Sequence, residues 1–408
     1  MMTELSENTQ AILLLTAPLL LGRQSERFEV LTPGEYKKLA HFLRNLKRTP
    51  ADLLKDDALV RECCGLVAET RLRSLLGRGM LLAQALERWQ ARGIWVLSRA
   101  DKCYPRRFKT RFHEDAPAVL YGVGDVTLAD KGGLAVVGSR QVNEVLTEYT
   151  RNVGASAATF GVTVVSGGAR GIDQASMAGA LDTGGSVCAV LSDGLERAAL
   201  NKEYRYFLQK GRLLLLSPFD PAAGFNVGNA MQRNKYIYAL ADAALVVNSD
   251  FNKGGTWAGA TEQLKKYRFG AIYVRTADTN ESQGLAALNG LGAKVWPAPT
   301  DRTEFDIVLH PPKEGNGVVV QSDLFAERPE SDISVASPTA STFDEVADLL
   351  WQSVRPVLLM VLKTPVSIQG AAQRLQVHDN QVREWLDRLV SEAQAVRESR
   401  PVRYRLAA

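Results

Sequence analysis

The chain has 408 residues, 49 Lys and Arg against 45 Asp and Glu, a net charge of +4 and 46% hydrophobic residues. That length fits two or three domains, and that composition belongs to a globular protein with a real core, not a disordered or fibrous one. The charge is too mild to demand a polyanionic partner by itself. Cys63, Cys64, Cys103 and Cys188 form no CxxC and the four histidines are scattered, so neither a metal site nor a cofactor is expected.

From the start of the chain, Ala11 to Leu21 is apolar but shorter than the ~20 residues a membrane span needs. Glu4 and Glu7 precede it and no small-residue cleavage site follows, so it does not suit a signal peptide, and a cytoplasmic protein is expected. Residues 1–98 read as a helical domain. Thr32-Pro33 and Thr49-Pro50 are helix-start signals with proline at the first helical position. Leu39, Phe42, Leu43 and Leu46 recur at helical spacing, as do Leu72, Leu75 and Leu76, and then Leu82, Ala85, Leu86 and Trp89. Such stripes are packing faces.

Residues 99–310 read as an α/β domain. Val119–Tyr121 is strand-like, and further apolar strands are expected at Leu134–Val137, Val162–Val165, Val187–Leu191, Leu213–Leu216, Ala244–Val247, Ala271–Val274 and Lys294–Trp296. Near-continuous apolar strands alternating with helical spacing imply an extended Rossmann-like, doubly wound, mostly parallel sheet covered on both faces. Ligands of such sheets sit at the carboxyl ends of the strands.

Those ends are rich in glycine and cations. Gly138-Ser139-Arg140 follows one strand, and Ser166-Gly167-Gly168-Ala169-Arg170 follows the next. Arg233, Asn234 and Lys235 lie in the segment after the fourth, and Lys253-Gly254-Gly255 comes after the fifth. Glycine turns at helix starts expose unpaired N–H groups, and the arginines add full charges, which together describe a phosphate-binding rim. The plainer reading is a set of tight βα turns without a ligand. Phe219, Phe225, Tyr236, Phe251 and Trp257 stand near this rim as candidates for base stacking, or simply as core. No catalytic constellation is evident, so a non-enzymatic role is expected.

A resemblance enters on longer strings. Tyr104-Pro105, Pro117-Ala-Val-Leu-Tyr121, Val136-Val-Gly-Ser-Arg140, Val164-Val-Ser-Gly-Gly-Ala-Arg-Gly-Ile-Asp173 and Gln232-Arg-Asn-Lys-Tyr-Ile237 resemble the DprA/Smf family of DNA-processing proteins. The resemblance implies a dimer that binds and protects single-stranded DNA without ATP and helps to load a RecA-type recombinase. It implies strand-contacting or pocket-forming roles for Ser139, Arg140, Ser166, Gly167, Gly168, Arg170, Arg233 and Asn234. The chain departs from the family pattern at Ser176, where a histidine is usual, at Ser192-Asp193, and in the Lys253–Glu262 loop. An alternative is a nucleotide-sensing or N-glycosidic-bond-cleaving enzyme of the related lysine-decarboxylase-like fold. Glu262 would then act at the mouth of the pocket, or merely pair with Lys265 or Lys266 along its helix.

Residues 311–343 read as an acidic linker too poor in apolar residues to fold alone. Within it, Gln321-Ser-Asp-Leu-Phe325 resembles the pentapeptide that docks on the DNA sliding clamp, with Gln321, Leu324 and Phe325 as anchors. Residues 344–408 read as a winged helix. Val354–Leu362, Ser367–Leu375 and Asp379–Leu389 are its helices, and Ala395–Leu406 is a hairpin carrying Arg397, Arg400, Arg403 and Arg405. That module would bind nucleic acid or protein.

Overall fold

The computed structural model describes residues 5–20, 28–276, 283–311, 355, 358–362, 364–375, 379–392, 394–399 and 402–406. The chain forms two units, residues 1–317 and 318–408. Among the described residues no helix is long and apolar enough to cross a membrane.

The first unit opens with helices α1 (Glu7–Thr16), α2 (Pro33–Asn45), α3 (Asp57–Glu62), α4 (Glu69–Leu76) and α5 (Gly79–Gln90). Thr32 caps α2 as its sequence predicts. Its hydroxyl accepts from Glu35 N at 3.3 Å, its own N–H donates to Glu35 Oε2 at 2.8 Å, and Pro33 occupies the first turn. Leu39, Leu43, Leu72, Leu75, Leu82 and Trp89 are buried in a core that also takes in Val119 and Tyr121 of the α/β region. Trp89 meets Tyr121 edge-on at 5.1 Å between ring centroids.

Nine strands form one sheet: β1 (Trp95–Ser98), β2 (Val119–Gly124), β3 (Leu134–Val137), β4 (Val164–Ser166), β5 (Val187–Val190), β6 (Leu213–Ser217), β7 (Ala243–Val246), β8 (Ala271–Val274) and β9 (Lys294–Val295). Their order is β1-β2-β6-β5-β4-β3-β7-β8-β9. β1 and β2 pair antiparallel, as do β2 and β6, and every other neighbouring pair is parallel. β1 falls within the stretch expected to be helical. Gly93, with φ of +68°, ends the helical run, and Trp95-Val-Leu is an apolar run too short for periodicity to assign.

The central strands β3 to β7 are buried along their whole length because both faces are covered, whereas β9 at the edge is exposed. Leu134, Val136, Val164 and Leu213 face one core, which they share with α7 (Glu144–Thr159), α8 (Ile172–Asp182) and the N-terminal helices. Ala135, Val137, Val165 and Leu214 face the other. There they meet α6 (Arg106–Phe112), α11 (Val227–Leu240) and α12 (Gly254–Glu262). Between β5 and β6 the chain forms α9 (Leu195–Ala199) and α10 (Lys202–Gln209), while α13 (Gln283–Gly290) and α14 (Arg302–Leu309) close the unit. From β3 the chain steps outward through β4, β5 and β6. α11 then carries it back to β7, on the other flank of β3. The winding therefore reverses between β3 and β7, and the loops diverge there to leave a crevice.

In the second unit, helical residues 358–361 precede α15 (Ile368–Leu375), α16 (Asp379–Ser391) and a hairpin of β10 (Ala395–Ser399) and β11 (Val402–Leu406). Leu358, Leu362, Ala371, Val382, Leu386, Leu389 and Tyr404 form its core. Val366 bridges to Tyr404, fixing the start of α15 to the hairpin. Helices and hairpin follow one another in the order the sequence predicts. Gln321, Leu324, Phe325 and Arg400 lie outside the described residues.

Candidate nucleic-acid interface

Three loops meet at the carboxyl edge of the sheet. They follow β3, β4 and β7, and the first half of α11 lies across them. Together they enclose a cleft of about 390 Å³. Its lining includes Gly138, Ser139, Arg140, Asp173, Phe225, Arg233, Asn234, Tyr238, Lys253 and Thr256. The cleft sits where the winding reverses, as expected for an open α/β sheet.

The turn after β4 needs its glycines. Gly168 and Gly171 have φ of +67° and +81°, and a Cβ at Gly171 would stand 2.6 Å from the Ser139 carbonyl oxygen. That close approach lets Ile172 N donate to Ser139 O at 3.3 Å, tying the β3 and β4 loops together. Ser166 is fully buried and its hydroxyl donates to Val136 O at 2.7 Å, so it braces β4 against β3 and does not face the cleft. Ser139 Oγ accepts from Gln141 N at 3.3 Å and so shapes its own loop.

Arg233 differs most from the expectation. It is not on the rim: only 4% exposed, it lies under the β4 loop. Nη1 donates to Val190 O at 3.1 Å and stands 3.6 Å from Asp173 Oδ2. A Cβ at Gly167 would collide with this guanidinium, which explains the first of the two adjacent glycines. Burial pushes the Asp173 carboxyl up, against the opposing pull of Arg233 and of the Ala169 and Gly167 N–H groups. Burial likewise lowers the Arg233 guanidinium, against the pull of Asp173. Arg233 Nε and the Tyr238 hydroxyl are buried without hydrogen-bond partners among the described residues, and both side chains line the cleft. Asp173 and Tyr238 drew no assignment from sequence; the orphaned atoms show only once α11 is laid over β4.

Of the cations expected at the rim, three are both exposed and free of ion pairs among the described residues: Arg140, Arg170 and Lys253. Arg140 and Lys253 line the cleft, while Arg170 sits on the β4 loop outside the lining. The Arg140 guanidinium lies 5.1 Å from the centroid of the Phe225 ring, which is itself 56% exposed. The N-terminus of α12 is fixed in place, with Thr256 Oγ1 donating to Gly138 O at 3.0 Å and Asn234 Nδ2 to Gly255 O at 2.9 Å. Asn234 is thus a brace for a helix start whose first N–H groups carry partial positive charge. Besides buried Asp173, exposed Asp250 is a carboxylate on the lining.

Two further expectations shift. Lys235 lies away from the cleft, half-buried, with Nζ 5.6 Å and 5.1 Å from the Phe112 and Tyr236 ring centroids. Tyr236 is buried in that aromatic cluster, edge-on to Phe108 at 5.5 Å and to Phe112 at 5.4 Å, so it is core. Phe251 is 55% exposed and meets Trp257 edge-on at 5.1 Å. Glu262 stands 3.6 Å from Lys266, one helical turn on, and is absent from the cleft lining.

Residues 95–305 match the family described as DNA recombination-mediator protein A. This chain belongs to the DprA/Smf family. It is 28% identical over 246 residues to a DNA processing protein DprA of Mycobacterium tuberculosis, covering 57% of this chain and 61% of that one. To Protein Smf of Escherichia coli it is 33% identical over 145 residues, covering 34% and 38% of the two chains. The chain thus spans about three-fifths of the length of the Mycobacterium relative. The crystal structure of DprA from Streptococcus pneumoniae shares the fold, with a TM-score of 0.56 at 20% identity, over 76% of this chain and 99% of that one. The match begins at β1, so the DprA/Smf region includes all nine strands of the sheet.

Proposed function

We propose that this DprA/Smf chain binds single-stranded DNA along the switch-point cleft and hands it to a RecA-type recombinase, without hydrolysing ATP. The observation that carries the reading is the Arg140–Phe225 pair at the cleft mouth, a guanidinium laid on an exposed ring. A phosphate accepts charge-assisted hydrogen bonds from Arg140, Lys253 and the α12 amides, while Phe225 offers a flat face to an unstacked base. Duplex DNA hides its bases from such a face, so single strands are preferred. Arg170 extends the positive rim along the strand's path. The buried Asp173–Arg233 pair holds the β4 loop rigid. A homodimer, and docking of Gln321, Leu324 and Phe325 on the sliding clamp, complete the proposal.

The test is a comparison of labelled single-stranded and duplex DNA of equal length, with a nucleoside monophosphate incubated in parallel. Preference for the single strand, with no base released, supports the reading. Release of free base from the nucleotide would replace it with an N-glycosidic activity.

A further inference from the structure

Outside the cleft, a group of cations without carboxylate partners among the described residues lies on α10 and just beyond it. Lys202, Arg205, Tyr206 and Gln209 recur at i, i+3, i+4 and i+7 and are all exposed, forming one face. The opposite side of the helix, Tyr204, Phe207 and Leu208, packs on the sheet core. Lys210 and Arg212 continue the basic character past the helix end, and Glu203 is the one acidic residue among residues 202–212. None of these cations has a carboxylate partner among the described residues. Some exposed arginines elsewhere do have carboxylate partners. Arg73 binds both Asp57 and Glu69, at 2.7 and 2.8 Å, and Arg302 binds Asp306 at 3.0 Å.

Tyr206 is 56% exposed, and its ring is held. The Arg212 guanidinium lies 5.8 Å from its centroid and 5.2 Å from that of Phe207, while Arg212 Nη1 donates to Leu181 O at 3.1 Å. A fixed aromatic face flanked by unpaired cations is the arrangement that takes a phosphate backbone and a stacked base together. α10 also stands in a suitable place. β5 arrives at the cleft edge and β6 starts from the opposite edge, so the chain between them runs away from the cleft. β6 is three strands from β3, roughly 14 Å at the usual strand spacing.

We infer that the outer face of α10 is a second contact for single-stranded nucleic acid, gripping the part of a strand that extends beyond the cleft. The inference rests on the cleft reading for where the strand starts, and charge complementarity selects its occupant. The experiment titrates the full chain, its Lys202→Glu/Arg205→Glu variant, and an Arg140→Ala/Lys253→Ala variant with single strands of about 6 and about 30 nucleotides, spanning the range of such sites. The α10 variant keeps wild-type affinity for the short strand and loses at least tenfold for the long one. Its salt slope on the long strand falls by about 1.4, two phosphates at about 0.7 each. Tyr206→Ala weakens the long strand without changing that slope. Unchanged long-strand binding, equal loss on both lengths, or equal loss on a duplex of the same length would each overturn the second contact. Failure of the cleft reading shows separately, as an Arg140→Ala/Lys253→Ala variant that still binds the short strand.

Discussion

Arg140 and Arg233 serve neighbouring loops, yet burial gives them opposite tasks. Arg140 is exposed, and the proposed function gives its charge to a ligand; Arg233 lies beside Asp173 and is paired with it. Breaking a buried pair by removing one partner strands the other, at a cost of about 3–5 kcal/mol. Asp173→Ala is therefore expected to lose that much stability in urea denaturation, and adding Arg233→Met to recover most of it. Sequence reading placed both arginines at strand ends, but a residue's depth depends on how α11 is rotated over the sheet, and spacing alone does not fix that. The N-terminal region holds a second residue-scale case. Glu35 has its carboxyl lowered from 4.5 to about 2, chiefly by the hydrogen bond from Arg71 and then by those from Thr32. A carboxylate with a depressed folded pKa adds stability that is complete above its unfolded value and is lost as pH falls through the folded one. The wild type should thus be more stable than Glu35→Gln at pH 6, with the gap closing between pH 4.5 and about 2 in parallel denaturation curves.

At the scale of elements, β3 and β8 occupy the spans their apolar runs predict. β4 starts at Val164 and not at Val162, because Val162 N still bonds back to Ala157 O at 2.8 Å, at the end of α7. Tertiary pairing decides such boundaries, and short apolar runs do not announce it. β1 was missed for the same reason, since four residues carry too little pattern to oppose a long helical context. The glycine turn was legible, because only glycine supplies positive φ at so little cost. Gly171→Ala places a Cβ against the Ser139 and Arg140 carbonyls at a backbone angle that side chains rarely adopt. It should destabilise the protein by about 1–3 kcal/mol, the usual scale of such strain, in the same denaturation assay. The β3 loop that carries Arg140 would move with it, so nucleic-acid affinity should fall too.

For the whole molecule, the order of the strands puts the cations where they can act together. Arg140 and Lys253 come from loops 113 residues apart in sequence (253 − 140), and they line one cleft because the chain reverses its winding between β3 and β7. Composition hides this, since a net charge of +4 says nothing about convergence. The alternation of strands and helices revealed the sheet; the cleft followed from the general habit of such sheets. The aromatic partners were harder to read. Phe225 and Tyr236 looked alike as candidates, yet one stands at the mouth and the other in the core. The measurement that bears most directly on the account is a salt series of single-stranded DNA titrations with the wild type and the Arg140→Ala/Lys253→Ala variant. The account predicts salt-sensitive wild-type binding, and a variant that is weaker at every salt concentration with a slope shallower by about 1.4. Equal affinities and equal slopes for the two proteins would contradict it.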